Sequence, residues 1–310
     1  MPGARRKVEA SVDRGVQRQR RRALADVFPG GYTASMKTSF LPEIEDISSH
    51  ETWFAGYVEG QYALCEGDAG PMRLKATHTL AVLGHARRIA REEGFAPHIV
   101  RACLLAALYH DVARFAQYLR YGTFRDRDSR NHGLWGAAIL KREGRLAREE
   151  RTVRRLVLAA VALHNRYALP AALPAEMACV ASTVRDADKL DILRVMDEHL
   201  SGPRPYCPTV VLGLPDAADR VSEKVLEDAR RGRVAAYADL RSVNDFRVLL
   251  GTWIDDMHFA SSRRLFAASP HAVRLLADLP RRGPYAGVRA CLLERLARGR
   301  REDALPDGDA

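Results

Sequence analysis

From residue 48 onward, apolar side chains return every three or four positions with little interruption. That period lines one face of an α-helix, and Ala, Leu and Arg, all good helix formers, dominate it. Period-two alternation, the mark of a half-buried strand, is nearly absent. "SSHETWFAGYVEGQY" (48–62) opens on a capping serine followed by Glu51. "LKATHTLAVLGHARRIAREEG" (74–94) is amphipathic and stops at Gly94. "APHIVRACLLAALYHDVARF" (96–115) reads as one buried helix. The polar loop "RYGTFRDRDSRN" separates it from predicted helices at 132–144 and 147–165. A long helix follows over 173–200, with Pro174 near its first turn.

The stretch 201–216 is rich in Pro and Gly and reads as a connector. Further helices are predicted over about 217–231, 241–258, 270–279 and 284–298. The expected architecture is all-α. A helical core spans 46–200 and a helical extension, 217–300, packs on it. A basic, disordered arm is expected over 1–45 and a loose tail over 301–310.

Composition changes this picture little. Of 310 residues, 47% are hydrophobic and 28% charged, which fits a soluble globular protein. The longest apolar run, "LVLAAVALH" (156–164), is too short to cross a bilayer. No apolar segment follows the basic N-terminus, so no secretory signal is expected. Five widely spaced cysteines without a CxxC argue against a disulfide framework and for a reducing, cytoplasmic setting.

The net charge of +10 is uneven. Residues 1–30 hold eight Lys or Arg against three acidic residues, a net of +5. A solvated tail accounts for this arm, with at most weak contact to nucleic acid, and Met36 offers an alternative start.

The candidate chemistry lies where His and Asp interrupt apolar faces. His78 falls on the stripe of Val82 and Ile89. His110 and Asp111 fall among Leu104, Leu105, Leu108 and Val112. His132 opens a helix, His164 closes the most hydrophobic one, and Asp188 shares a stripe with Val184, Asp191 and Val195. Each alone reads as a hydrogen-bonded core residue or a salt-bridge partner. Together they are harder to satisfy that way, because a buried carboxylate without a partner costs several kcal/mol. Imidazole and carboxylate suit divalent cations such as Fe, Mn, Co, Ni or Zn, and the lack of Cys ligands favours Fe or Mn.

His78, the pair His110-Asp111, and Asp188 in "DADKLD" resemble the H…HD…D pattern of the HD-domain superfamily of metal-dependent phosphohydrolases. His132 and His164 match its binuclear branch, H…HD…H…H…D. "HDVARFAQYLRYGTFRDRDSRNH" is also similar to a bacterial subgroup in which "HDIGRF" and "YGTF" recur. The resemblance covers about residues 74–200 and departs at Ala113, where the family usually has Gly.

The resemblance implies an HD-domain helical bundle holding two divalent ions, with Fe or Mn first and Mg, Co, Ni or Zn as alternatives. Asp111 would bridge them; His78, His110 and Asp188 would hold one, His132 and His164 the other. It implies hydrolysis of an anionic phosphoester, a monoester or diester with nucleotides among the candidates, by a metal-bridging hydroxide.

Arg114, one turn after His110, is a candidate phosphate fork or a salt bridge to Asp126 or Asp128. Lys189 is a candidate phosphate neutraliser or a solvent-facing residue. Asp191 is either an acceptor that orients a ligand histidine or an ion-pair partner of Arg194 or Lys189. Tyr121, Thr123, Phe124 and Asp126 are expected to shape the substrate wall, and Trp135 to pack in the core. Asp255, Asp256 and His258 read as an exposed helix face. Two other functions share the ligand set: a mixed-valent di-iron oxygenase of the myo-inositol oxygenase type, and a non-catalytic nucleotide-binding module.

Overall fold

The computed structural model describes residues 46–302, so the expected arm at 1–45 and most of the expected tail lie outside the described residues. The described chain is helical and contains no strand. Its first part comprises α1 (Ser48–Ala63), α2 (Gly70–Glu92), α3 (Pro97–Tyr109), α4 (Val112–Tyr121), α5 (His132–Arg142), α6 (Arg151–Leu163) and α7 (Ala175–Leu200). The extension comprises α8 (Glu223–Arg230), α9 (Val243–Thr252), α10 (Ala260–Ala268), α11 (Pro270–Ala277) and α12 (Tyr285–Glu302).

Helix α3 is the centre of the bundle. Every residue from Ala102 to Tyr109 is fully buried, which explains why its sequence is apolar on all sides rather than along one stripe. Helices α2, α6 and α7 pack around it, and α5 packs on α6. His50 of α1, itself buried, joins the Tyr109 hydroxyl (2.8 Å) and Glu149 (3.0 Å).

The expected single helix over 96–115 is in fact two. The chain leaves helical geometry at Asp111, where φ is −103° and ψ 14°, and restarts at Val112 as α4. Apolar periodicity runs through this break because both sides are buried, so it gave no sign of the kink. The break lets α4 diverge and carries Asp111 into the space between α2, α5 and α7. Gly122, at φ 63°, ends α4 with its N–H on the Tyr118 carbonyl.

The extension lies against α7. Helix α11 packs along it, and α10 touches both α7 and α2. Asp197 of α7 accepts from His271 (2.7 Å) and Arg274 (2.8 Å) of α11. Asp255, Asp256 and His258 are exposed as expected, but a short 3-10 turn, Trp253–Asp256, and the link to α10 stand where a continuous helix was expected. Asp255 pairs with Arg295 at 2.6 Å, and the His258 N–H donates to Asp186 of α7 at 2.9 Å. The His258 contact joins the extension to the core, whereas the Asp255–Arg295 pair lies within the extension.

Candidate metal centre

His78, His110, Asp111, His132, His164 and Asp188 come from α2, the α3–α4 break, the start of α5, the end of α6 and the middle of α7. The structure brings all six together. Two groups have ligand atoms close enough to share one ion: His78, His110 and Asp111, and then Asp111, His132 and His164. Asp188 joins the first group, its Oδ1 standing 3.0 Å from His78 Nε2 and 3.9 Å from His110 Nε2.

Asp111 divides its two oxygens between the groups. Oδ2 lies 3.8 Å from His78 Nε2 and 3.5 Å from His110 Nε2. Oδ1 lies 3.4 Å from His132 Nε2 and 3.9 Å from His164 Nε2.

Every histidine of the set has its Nδ1 engaged elsewhere. His110 Nδ1 meets the Ala107 carbonyl and His164 Nδ1 the Val161 carbonyl, each at 2.8 Å. A carbonyl only accepts, so both rings carry hydrogen at Nδ1. His78 Nδ1 is 2.7 Å from Asp191 Oδ2, and His132 Nδ1 is 2.8 Å from both Asp126 oxygens. All four Nε2 atoms are thereby turned inward, and those of His78 and His110 are buried without a hydrogen-bond partner.

This donor set fits cations. Two nitrogens each about 2.1 Å from one ion, at right angles, stand about 3.0 Å apart. His132 Nε2 and His164 Nε2 are 3.0 Å apart.

Electrostatics agree with the neutral tautomers of His164 and His132; at His78 burial and Lys75 pull the pKa down, but Asp188 and Asp191 outweigh them and raise it. Burial pulls the His164 pKa down to about 3, and the neighbouring His132 and His110 add to the effect. Burial and then Arg114 lower His132. Burial would raise Asp111, but Lys75, His110 and Arg114 outweigh it and hold the carboxyl well below the usual range. Asp188, burial notwithstanding, is held low by His78 and His110.

A polar support holds the ligands. Arg114 is not the free phosphate fork that its position suggests. Its guanidinium donates to Asp111 Oδ1 (3.2 Å), Gln117 (2.8 Å), Asp126 (3.2 Å) and the Phe124 carbonyl. Gln117, fully buried, donates to Asp126 (3.0 Å), Ser129 (2.7 Å) and the Arg130 carbonyl (3.1 Å). Asn165 donates to Asp126 at 2.8 Å. Asp126, expected as substrate wall, is thus the anchor of His132. Asp191 takes both of its expected roles, holding His78 and accepting from Arg194 at 2.7 Å.

The expectation for Lys189 needs correction. The Lys189 ammonium is paired with Asp256 of the extension, so it serves the contact between extension and core instead of the metal centre. Tyr121 packs edge-on to Trp135, with ring centres 6.5 Å apart, and Thr123 accepts from the Arg125 N–H at 3.2 Å. Tyr121 closes α4 and Thr123 stands in the loop after it.

Sequence reasoning missed Lys75, Gln117, Asn165 and Arg185. Lys75 donates to Asp111 Oδ2 at 2.7 Å; its place one turn before His78 was a readable signal. Arg185 donates to the carbonyls of His164 and Tyr167, both at 3.2 Å, and so closes the end of α6. Nothing local in the sequence marks Arg185 or Gln117, whose acceptors belong to other segments.

Among the described residues no helix is long and apolar enough to cross a membrane, and all five cysteines are free. Residues 76–193 match the family model of the HD domain. Neither the curated proteins nor the solved structures give a match to the chain.

Proposed function

Since residues 76–193 belong to the HD-domain superfamily, we propose that this protein is a metal-dependent phosphohydrolase working with two divalent cations. Asp111 carries the reading: each of its oxygens faces a different pair of inward Nε2 atoms. His78, His110 and Asp188 would hold one ion, His132 and His164 the other, and Asp111 both. Such ions supply Lewis acidity and lower the pKa of bound water towards neutrality.

The protein's own part is to hold and orient. Asp191 and Asp126 keep two imidazoles in the tautomer that presents Nε2 inward, and backbone carbonyls do the same for the other two. Asp111 and Asp188 cancel two of the four charges of a cation pair. The remaining excess favours an anionic phosphoester, and no Ser or Cys nucleophile is needed.

Elemental analysis of the purified full chain, paired with a phosphate-release screen on a panel of mono- and diesters, tests this. About two metals per chain are expected, with phosphate release that Asp111→Ala abolishes. Two irons with a coupled Fe(II)/Fe(III) signal and no phosphate release would instead make it an oxygenase. A metal-loaded chain inert to every ester yet stabilised by a nucleotide would make it a binding module.

A further inference from the structure

We propose that Lys75 is the substrate-binding cation of this site and that it favours phosphomonoester dianions over diesters, an inference that rests on the phosphohydrolase reading. Besides Lys75, the basic side chains around the ligand set are Arg114, Arg185, Lys189 and Arg194, and each is bound to two or more protein acceptor atoms. Arg114 serves Asp111, Gln117, Asp126 and the Phe124 carbonyl. Lys189 is paired with Asp256. Arg194 holds Asp191 at 2.7 Å and Glu198 at 2.8 Å.

Lys75 differs. Its ammonium has one acceptor among the described residues, Asp111 Oδ2 at 2.7 Å. An ammonium carries three hydrogens, so two remain for another partner. The side chain is 20% exposed, against 3% for Asp111, so it reaches from solvent to the bridging carboxylate. The Phe124 ring lies 5.8 Å from Nζ and forms an apolar wall beside it.

Charge supplies the direction. Asp111 Oδ2 is also the oxygen that faces His78 and His110. A divalent ion held there competes with the ammonium for Oδ2 and repels it, strongly so in a water-poor site. The ammonium then gains most from an anion on the open side. With Arg114, Lys189 and Arg194 neutralised by Asp126, Asp256 and Asp191, two divalent ions against Asp111 and Asp188 leave two positive charges. Lys75 makes it three. A monoester brings two negative charges near neutral pH and a diester one, so the monoester gains more from Lys75.

The test compares wild type, Lys75→Met and Lys75→Arg as manganese-loaded full chains. Metal content is measured, inorganic phosphate is titrated calorimetrically, and kcat and KM are determined on p-nitrophenyl phosphate and bis(p-nitrophenyl) phosphate. Lys75→Met is expected to keep its metals and its melting temperature. Phosphate binding should weaken about 10- to 100-fold, the loss of one charge-assisted hydrogen bond. KM for the monoester should rise in step, the diester should change less, and Lys75→Arg should recover most of the loss. Unchanged phosphate affinity and an unchanged monoester-to-diester ratio in Lys75→Met would overturn the proposal and leave Lys75 a counter-ion of Asp111. If wild type hydrolyses neither ester, the hydrolase reading fails, and the phosphate titration still decides whether Lys75 binds the anion.

Discussion

His132 Nε2 stands 3.0 Å from His164 Nε2, and with both rings neutral and their hydrogens at Nδ1, directed to Asp126 and the Val161 carbonyl, none lies between them. Two lone pairs at that distance repel; a cation between them turns repulsion into ligation. Binding confined to the folded state then raises stability, by about 2.7 kcal/mol at a hundredfold excess over Kd. Manganese or zinc should raise the melting temperature by about 5 °C or more, and a chelator should reverse this in a thermal scan. An unchanged melt at saturating metal would remove the basis of the two-ion reading.

The two ion positions should separate genetically. Asp126 supports His132, and Asp191 supports His78. Loss of such an outer partner typically costs about 10- to 100-fold in metal affinity. Asp126→Ala and Asp191→Ala should each weaken one of two binding steps in a metal titration. Equal weakening of both steps by either variant would contradict the assignment.

Gly133 should tolerate no side chain. A Cβ there would meet the Val161 carbonyl at 2.8 Å and the Asn165 amide oxygen at 2.9 Å. Overpacking of this kind costs about 1–3 kcal/mol, and the carbonyl cannot turn aside without unwinding the end of α6. Gly133→Ala should therefore lower the melting temperature by several degrees and weaken metal binding at His132 and His164. Gly84→Ala, mid-helix where a Cβ meets nothing within 4 Å, is the control: it should leave metal binding unchanged and melt no lower than wild type.

The clamp between α7 and α11 should depend on acid pH. Burial would raise Asp197, but hydrogen bonds from Arg274 and His271 outweigh it and depress its pKa in the folded state. A depressed carboxylate contributes stability above its unfolded pKa and loses it as pH falls through the folded value. Arg274 is half-exposed, so screening limits the effect to about 1 kcal/mol. Asp197→Asn should melt about 2 °C lower than wild type at pH 7, and the two curves should converge as pH falls below about 4. A gap that persists in acid would assign the loss to packing.

Much of this site was legible because metal ligands are chemically odd where they stand. Four histidines and two aspartates on apolar faces are visible one at a time, and the resemblance supplied their grouping. Asp126 was read as a wall because its role depends on the fold of the loop between Gly122 and Asn131. Lys189 and Asp256 are 67 positions apart, so no local spacing links them. Arg114 showed its face of the helix but not which acceptors that face would meet.

The sequence by itself determined that the chain is helical, where its apolar faces run, and that six His and Asp side chains interrupt them. Those follow from period and propensity, both local properties. Only the tertiary structure decided that the chain breaks at Asp111, that Asp126 and Asp191 orient the imidazoles, and that the Lys75 ammonium meets a single acceptor, Asp111, among the described residues. These depend on which acceptors distant segments bring within about 3 Å, and hydrogen bonds between distant segments leave no period in the chain.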